Sequence, residues 1–145
     1  MDKGTAVLFT ALAGGLIALQ APINAGLAKG TGDLAAAAVS FLVGSAALVL
    51  IVLVSGKGGG VSHVTDVRWY YLLGGLLGAV YVANALVAVN HIGAGGVAAA
   101  TVAGQLTMSV IADRLGILGL SQVALSPLRI LGVALLLAGT VLVVR

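Results

Sequence analysis

Two amides, Gln20 and Asn24, stand four residues apart in an otherwise apolar stretch, so in a helix they share one face. Pro22 lies between them. It has no N–H to offer the carbonyl of Ala18, and a helix can bend at such a point. A bent segment with a freed carbonyl beside two amides is a device for contacting a ligand through hydrogen bonds. The same amides can instead cross-link neighbouring helices, a role worth about 0.6–2 kcal/mol each. Further on, Thr101, Gln105, Ser109 and Asp113 recur every fourth residue and form one slowly winding polar stripe. Gly93, Gly95, Gly96, Ala100 and Gly104 lie around it and permit close packing. A polar stripe on an apolar helix is expected to face the bundle interior. Asp113 ends the stripe and is the one carboxylate placed to reach a membrane cavity. There it would be a protonatable site coupled to transport; at the interface it would instead pair with Arg114 or Arg129.

Tyr81 and Asn84 sit deep in a third apolar stretch, where they either line a cavity or bond to other helices. Gly74 and Gly78 precede them in a small-x-x-x-small pattern. Arg129, just after Pro127, is expected to snorkel to the interface. Other chemistries have no footing. His63 and His91 fall near predicted loops, and with no Cys and no Glu they make no metal site. No Ser–His–Asp pattern or P-loop is present, since Gly56 to Gly60 lacks the following Lys-Ser/Thr. The expectation is a protein that is not an enzyme and carries no metal or cofactor.

These residues need a scaffold, and composition says which. Apolar types make up 61% and charged types 8% of the 145 residues, against about 25% charged in a soluble domain. Mean hydropathy is +1.22. Too few charges exist to cover a water-soluble globule, and a disordered chain would be charge-rich. A net charge of +3 without a basic cluster leaves no nucleic-acid footprint. The lipid bilayer is the implied surroundings.

A spanning helix needs about 20 apolar residues. The charges cut the chain into uncharged runs of that order, at residues 4–28 and 34–56. The run at 69–112 is too long for one span and is expected to break around Asn90-His91-Ile92-Gly93, giving 69–90 and 93–112. Leu115 to Leu125 reads as a connector. Ser126-Pro127 is a helix-start signal that opens a short span over 128–144. The prediction is one membrane domain, 1–145, with five transmembrane helices and a polar, flexible loop at 56–68. The first apolar stretch is longer than a signal-peptide core and is expected to stay as a span. Five spans would put Lys3, Lys57, Arg68, Arg114 and Arg129 on the N-terminal side, against Lys29 and Arg145 on the other. That bias favours a cytoplasmic N-terminus.

Shifted by sixty, Gly14-Gly15-Leu16 meets Gly74-Gly75-Leu76, and Asn24-Ala25 meets Asn84-Ala85. Either one helical hairpin is repeated in the same orientation, or a chain rich in Ala, Gly, Leu and Val echoes itself.

The run Gln20-Ala21-Pro22-Ile23-Asn24-Ala25, followed far downstream by Gly104-Gln105-Leu106, Ser109 and Asp113-x-x-Gly116, resembles the YdcZ-like family of small bacterial membrane proteins. That family is placed in the drug/metabolite transporter superfamily, and the resemblance covers essentially the whole chain. It implies a multi-pass protein of the bacterial inner membrane that exports a small molecule. Larger relatives carry ten spans in two five-span halves of inverted topology. The resemblance therefore implies half of such a fold, completed by an antiparallel dimer. The second half would be an identical chain of dual topology or an inverted homologous partner; the charge bias fits the latter better. The small multidrug-resistance relatives use an acid deep in the first span. This chain departs from them, having only Gln20 and Asn24 there.

Together these readings give an all-α transporter of a small metabolite or drug-like molecule. Gln20, Asn24, Asn84 and Gln105 would bind neutral or zwitterionic groups, between the first, third and fourth helices. Tyr81 and Thr101 would form the wall, and Asp113 would couple protons. A small-solute or ion channel and a structural or accessory membrane subunit are the alternatives.

Overall fold

The computed structural model describes residues 2–119 and 121–145. Among them the ordered elements are helical throughout. Helix α1 covers Lys3–Thr31, α2 Asp33–Val54, α3 Leu73–Leu115 and α4 Pro127–Val144. All four are long and apolar enough to cross a membrane, against the five spans expected from sequence. The difference lies in α3, a single 43-residue helical element that leaves helical geometry at Gly93.

Local chemistry sets the ends. Asp2 caps α1: its carboxylate accepts from the Thr5 N–H at 2.8 Å and from the Thr5 hydroxyl at 2.7 Å. The N–H bond, then the hydroxyl, hold the Asp2 carboxyl below the usual carboxylate range. A depressed folded-state pKa means the cap contributes above that range and is lost as pH falls through the lowered value. Asp2→Ala should therefore speed amide exchange at Thr5 and Ala6 at neutral pH. The difference from the unmodified chain should vanish in strong acid; equal exchange rates at pH 7 would refute the cap.

Helix α1 runs three residues past the predicted end and turns into α2 at Gly32, with φ 82° and ψ 157°. Asp33 then opens α2, where a negative charge suits the helix dipole. The stretch expected to be a flexible loop is more regular than its glycines suggested. Gly58–Asp66 forms a 3-10 helix, in which the Ser62 hydroxyl donates to the Gly59 carbonyl at 2.6 Å and His63 meets Asp66 at 3.1 Å. Trp69–Leu72 is a second 3-10 turn, so the regular α-helix of the third stretch begins at Leu73 rather than at 69. Arg68 donates to the Tyr70 hydroxyl at 3.0 Å, and Trp69 and Tyr71 are exposed. This aromatic and cationic cluster suits a membrane–water interface. His91, expected in a turn, lies inside the α3 element and is exposed.

The packing inverts that of a water-soluble protein. Large side chains such as Leu16, Leu34, Leu77 and Leu128 are exposed, while the buried apolar residues are mostly alanines: Ala21, Ala36, Ala37, Ala85 and Ala103. In water such a surface would aggregate. In lipid the outer face needs no burial, and helices associate through small residues that let backbones approach.

The chain divides into two compact units, Gln20–Asn90 and Met1–Leu19 with His91–Arg145. In the first, a methyl group on Gly78 would touch the Phe41 ring at 3.4 Å. In the second, α4 lies against the glycines of α3. A methyl group on Gly96 would stand 3.0 Å from Ile92 and 3.4 Å from Val144, and the Thr140 hydroxyl donates to the Ala99 carbonyl at 3.1 Å.

Candidate functional site

Within Gln20–Asn90, Asn24 is the one buried polar residue among those described, 5% exposed. It shares a face of α1 with buried Ala21 and half-buried Gln20. The next contributions come from α3. Val82, Ala85 and Leu86 are buried on one side, which leaves Tyr81 half-buried at its edge and turns Asn84 outward. Tyr81 therefore borders the unit's packed face, and the Asn84 amide lies on its outer surface.

A pocket of about 540 Å³ opens in this unit between α1, α2 and α3. Gln20 lines it. Its other polar members, Ser40 and Ser45, come from α2 and were not among the sequence candidates; Phe41, Gly44, Leu48 and Gly75 complete the lining. Phe41, Gly44, Ser45 and Leu48 follow helical spacing, so one face of α2 supplies most of the wall. The spacing was present in the sequence, but serines in a membrane helix carry no mark of their direction.

The helix hydroxyls divide into those that bond their own backbone and those, Ser40, Ser45, Thr101 and Ser109, that do not. Thr10, Thr31, Thr107 and Thr140 each donate to the carbonyl four residues back, at 2.7–3.0 Å. That is the usual way for a hydroxyl in an apolar helix to satisfy itself. Neither Ser40, Ser45 nor Gln20 makes a side-chain hydrogen bond to another described residue; Gln20 and Ser40 are half-buried and Ser45 is exposed. Three polar side chains thus present free donors and acceptors at one apolar-walled pocket.

In the other unit, Thr101 is half-buried while Gln105 and Ser109 are exposed. The stripe expected to face the bundle interior is turned largely outward within the single chain. The buried side of this part of α3 is the small-residue side, Gly96, Val97 and Ala103, with half-buried Thr107. Close backbone approach is available there and not at Gln105.

Asp113 meets Arg129 at 3.1 Å, both partly exposed. The pair joins the end of α3 to the start of α4. The Asp113 carbonyl also accepts from the Val123 N–H at 2.9 Å, and Ser126 caps α4 through the Arg129 N–H at 3.3 Å. Asp113 thus occupies the ion-paired arrangement foreseen for an interfacial carboxylate, with Arg129 as partner rather than Arg114. Among the described residues no cluster of His, Cys, Asp or Glu has metal-binding geometry.

The family model described as "Putative inner membrane exporter, YdcZ" matches residues 5–142. No curated protein and no solved structure matches the chain. The match runs from the first turns of α1 to the last turn of α4 and takes in both units with their amides and the Asp113–Arg129 pair. The chain therefore belongs to the YdcZ-like family.

Proposed function

We propose that this protein is one half of a secondary transporter that exports a small metabolite or drug-like molecule across the bacterial inner membrane. The family match over residues 5–142 carries the reading. In it α3 crosses the bilayer twice, reversing at Gly93, so that five spans form each half and the N-terminus lies in the cytoplasm. The second half is an antiparallel copy or an inverted homologous partner. The outward-facing amides of Asn84 and Gln105 support this assembly. An amide left against lipid loses its hydrogen bonds to water, and a partner surface or a wet cavity restores them. Gln20, Asn24, Asn84 and Gln105 bind the substrate's polar groups, with Tyr81 and Thr101 shaping the wall. Asp113 takes up and releases the coupling proton, exchanging its bond with Arg129. Rocking of one half against the other gives alternating access.

The test is a substrate screen with the purified protein in proteoliposomes under an imposed pH gradient. Saturable, gradient-dependent flux of at least one small uncharged or zwitterionic compound is expected. Flux that never saturates would make the protein a channel. Absence of flux across the screen, with a folded dimer, would make it an accessory subunit.

A further inference from the structure

The pocket between α1, α2 and α3 admits a narrower statement, which rests on the export reading above. We propose that it is the substrate subsite, and that it selects neutral aromatic molecules bearing a hydrogen-bonding group such as an amide or hydroxyl. Four observations converge. Its volume, about 540 Å³, falls within the roughly 300–1,000 Å³ of small-molecule sites. Its wall is apolar and includes the Phe41 ring, a surface for stacking. Its three polar side chains, Gln20, Ser40 and Ser45, have no hydrogen-bond partner among the described residues, whereas four threonines of the helices satisfy themselves on their own backbone. An acyl chain in this pocket would leave those groups unsatisfied; a ligand with its own donor and acceptor would satisfy them.

The fourth observation concerns charge. No Asp, Lys, Arg or His lines the pocket. An ionised ligand would enter an apolar-walled site without a counter-ion, at a cost that amides and hydroxyls alone do not offset. A neutral ligand meets no such penalty. Gly44 and Gly75 form part of the wall, and a side-chain carbon added at either would stand in open space, with nothing within 4 Å. Larger residues there start into the pocket's space without a clash at their first carbon. That makes a blocking variant that leaves the helices intact.

The chain has no cysteine, so Ser45→Cys introduces a single reporter thiol at the pocket. The experiment follows its labelling by N-ethylmaleimide in proteoliposomes. The added probe is 2-naphthamide, or its charged counterparts 2-naphthoate and 2-naphthylmethylammonium. At ten times its dissociation constant, 2-naphthamide should slow labelling about tenfold. The two charged compounds should leave it unchanged, and Gly75→Leu or Gln20→Leu should abolish the protection. Ser62→Cys, in the 3-10 segment, should label at one rate throughout. Equal protection by the charged probes, protection that survives Gly75→Leu, or a Ser45→Cys thiol that never labels would each overturn the proposal. Flux measured on the same vesicles separates the two readings. Protection without saturable flux of any compound leaves the subsite standing and removes export. Saturable flux without neutral-probe protection does the reverse.

Discussion

Gly93→Ala should lower the melting temperature in detergent by roughly 2–12 °C, from about 1–3 kcal/mol of backbone strain. Gly93 holds φ 70° and ψ 168°, a region open essentially to glycine alone. A methyl group there would meet no neighbour within 4 Å, so the cost is conformational and not steric. The substituted chain has one other course, to continue the helix through the break. An unbroken Leu73–Leu115 would run about 65 Å at ~1.5 Å per residue, twice the ~30 Å of hydrocarbon. Gly104→Ala is the matched comparison: it has helical geometry and open space, and should melt at or slightly above the unmodified protein. Indistinguishable melting of Gly93→Ala and Gly104→Ala would mean that the break at Gly93 does not shape the fold.

Gly32 gives the argument a second instance. It joins α1 to α2 with φ 82° and ψ 157°, the same backbone region as Gly93 sixty-one positions later. The sequence echo at a shift of sixty left open whether a hairpin repeats. Two helix junctions turned by one glycine apiece, in the same conformation and nearly that far apart, favour a repeat of structure over an echo of composition.

These junctions show what the sequence carries and where it falls silent. The run at 69–112 was too long to be one span, and Asn90-His91-Ile92-Gly93 was the expected break; the departure from helical geometry lies there. The start of α4 was legible because Ser126-Pro127 is a local signal read by the backbone itself, whereas α1 runs to Thr31, three residues past the end of its uncharged run, and turns at Gly32. The direction of the Thr101–Gln105–Ser109 stripe was not legible. In water, hydrophobicity decides which face turns inward. In lipid it has no such vote, and the glycine and alanine face competes with the polar one. Here Gly96 and Ala103 took the inner side within the chain. The pocket serines were hidden for a related reason. A serine that bonds its own backbone and one that faces a cavity are the same letter at the same spacing, and only the hydrogen bonds tell Ser45 from Thr107.

Asp113 poses the remaining question, because an ion pair and a proton-coupling site can be the same two residues. As a structural tie alone, the Asp113–Arg129 contact is modest. Partly exposed pairs contribute at most about 1 kcal/mol. Asp113→Asn should then lower the melting temperature by a few degrees and leave Arg129 charged without its partner. Arg129→Gln together with Asp113→Asn removes both charges and should recover most of that loss, since the unpaired ion is what costs most. Transport separates the roles. If Asp113 carries the coupling proton, flux loses its dependence on the pH gradient in Asp113→Asn, and the double variant does not restore it, however stable it is. A variant with Asp113 kept and Arg129→Gln should keep the dependence, because the carboxylate that carries the proton is still there. If the pair only ties α3 to α4, the double variant regains both stability and gradient dependence. The coupling then belongs elsewhere in the assembly, since among the described residues no other carboxylate lies within a spanning helix away from its first turn.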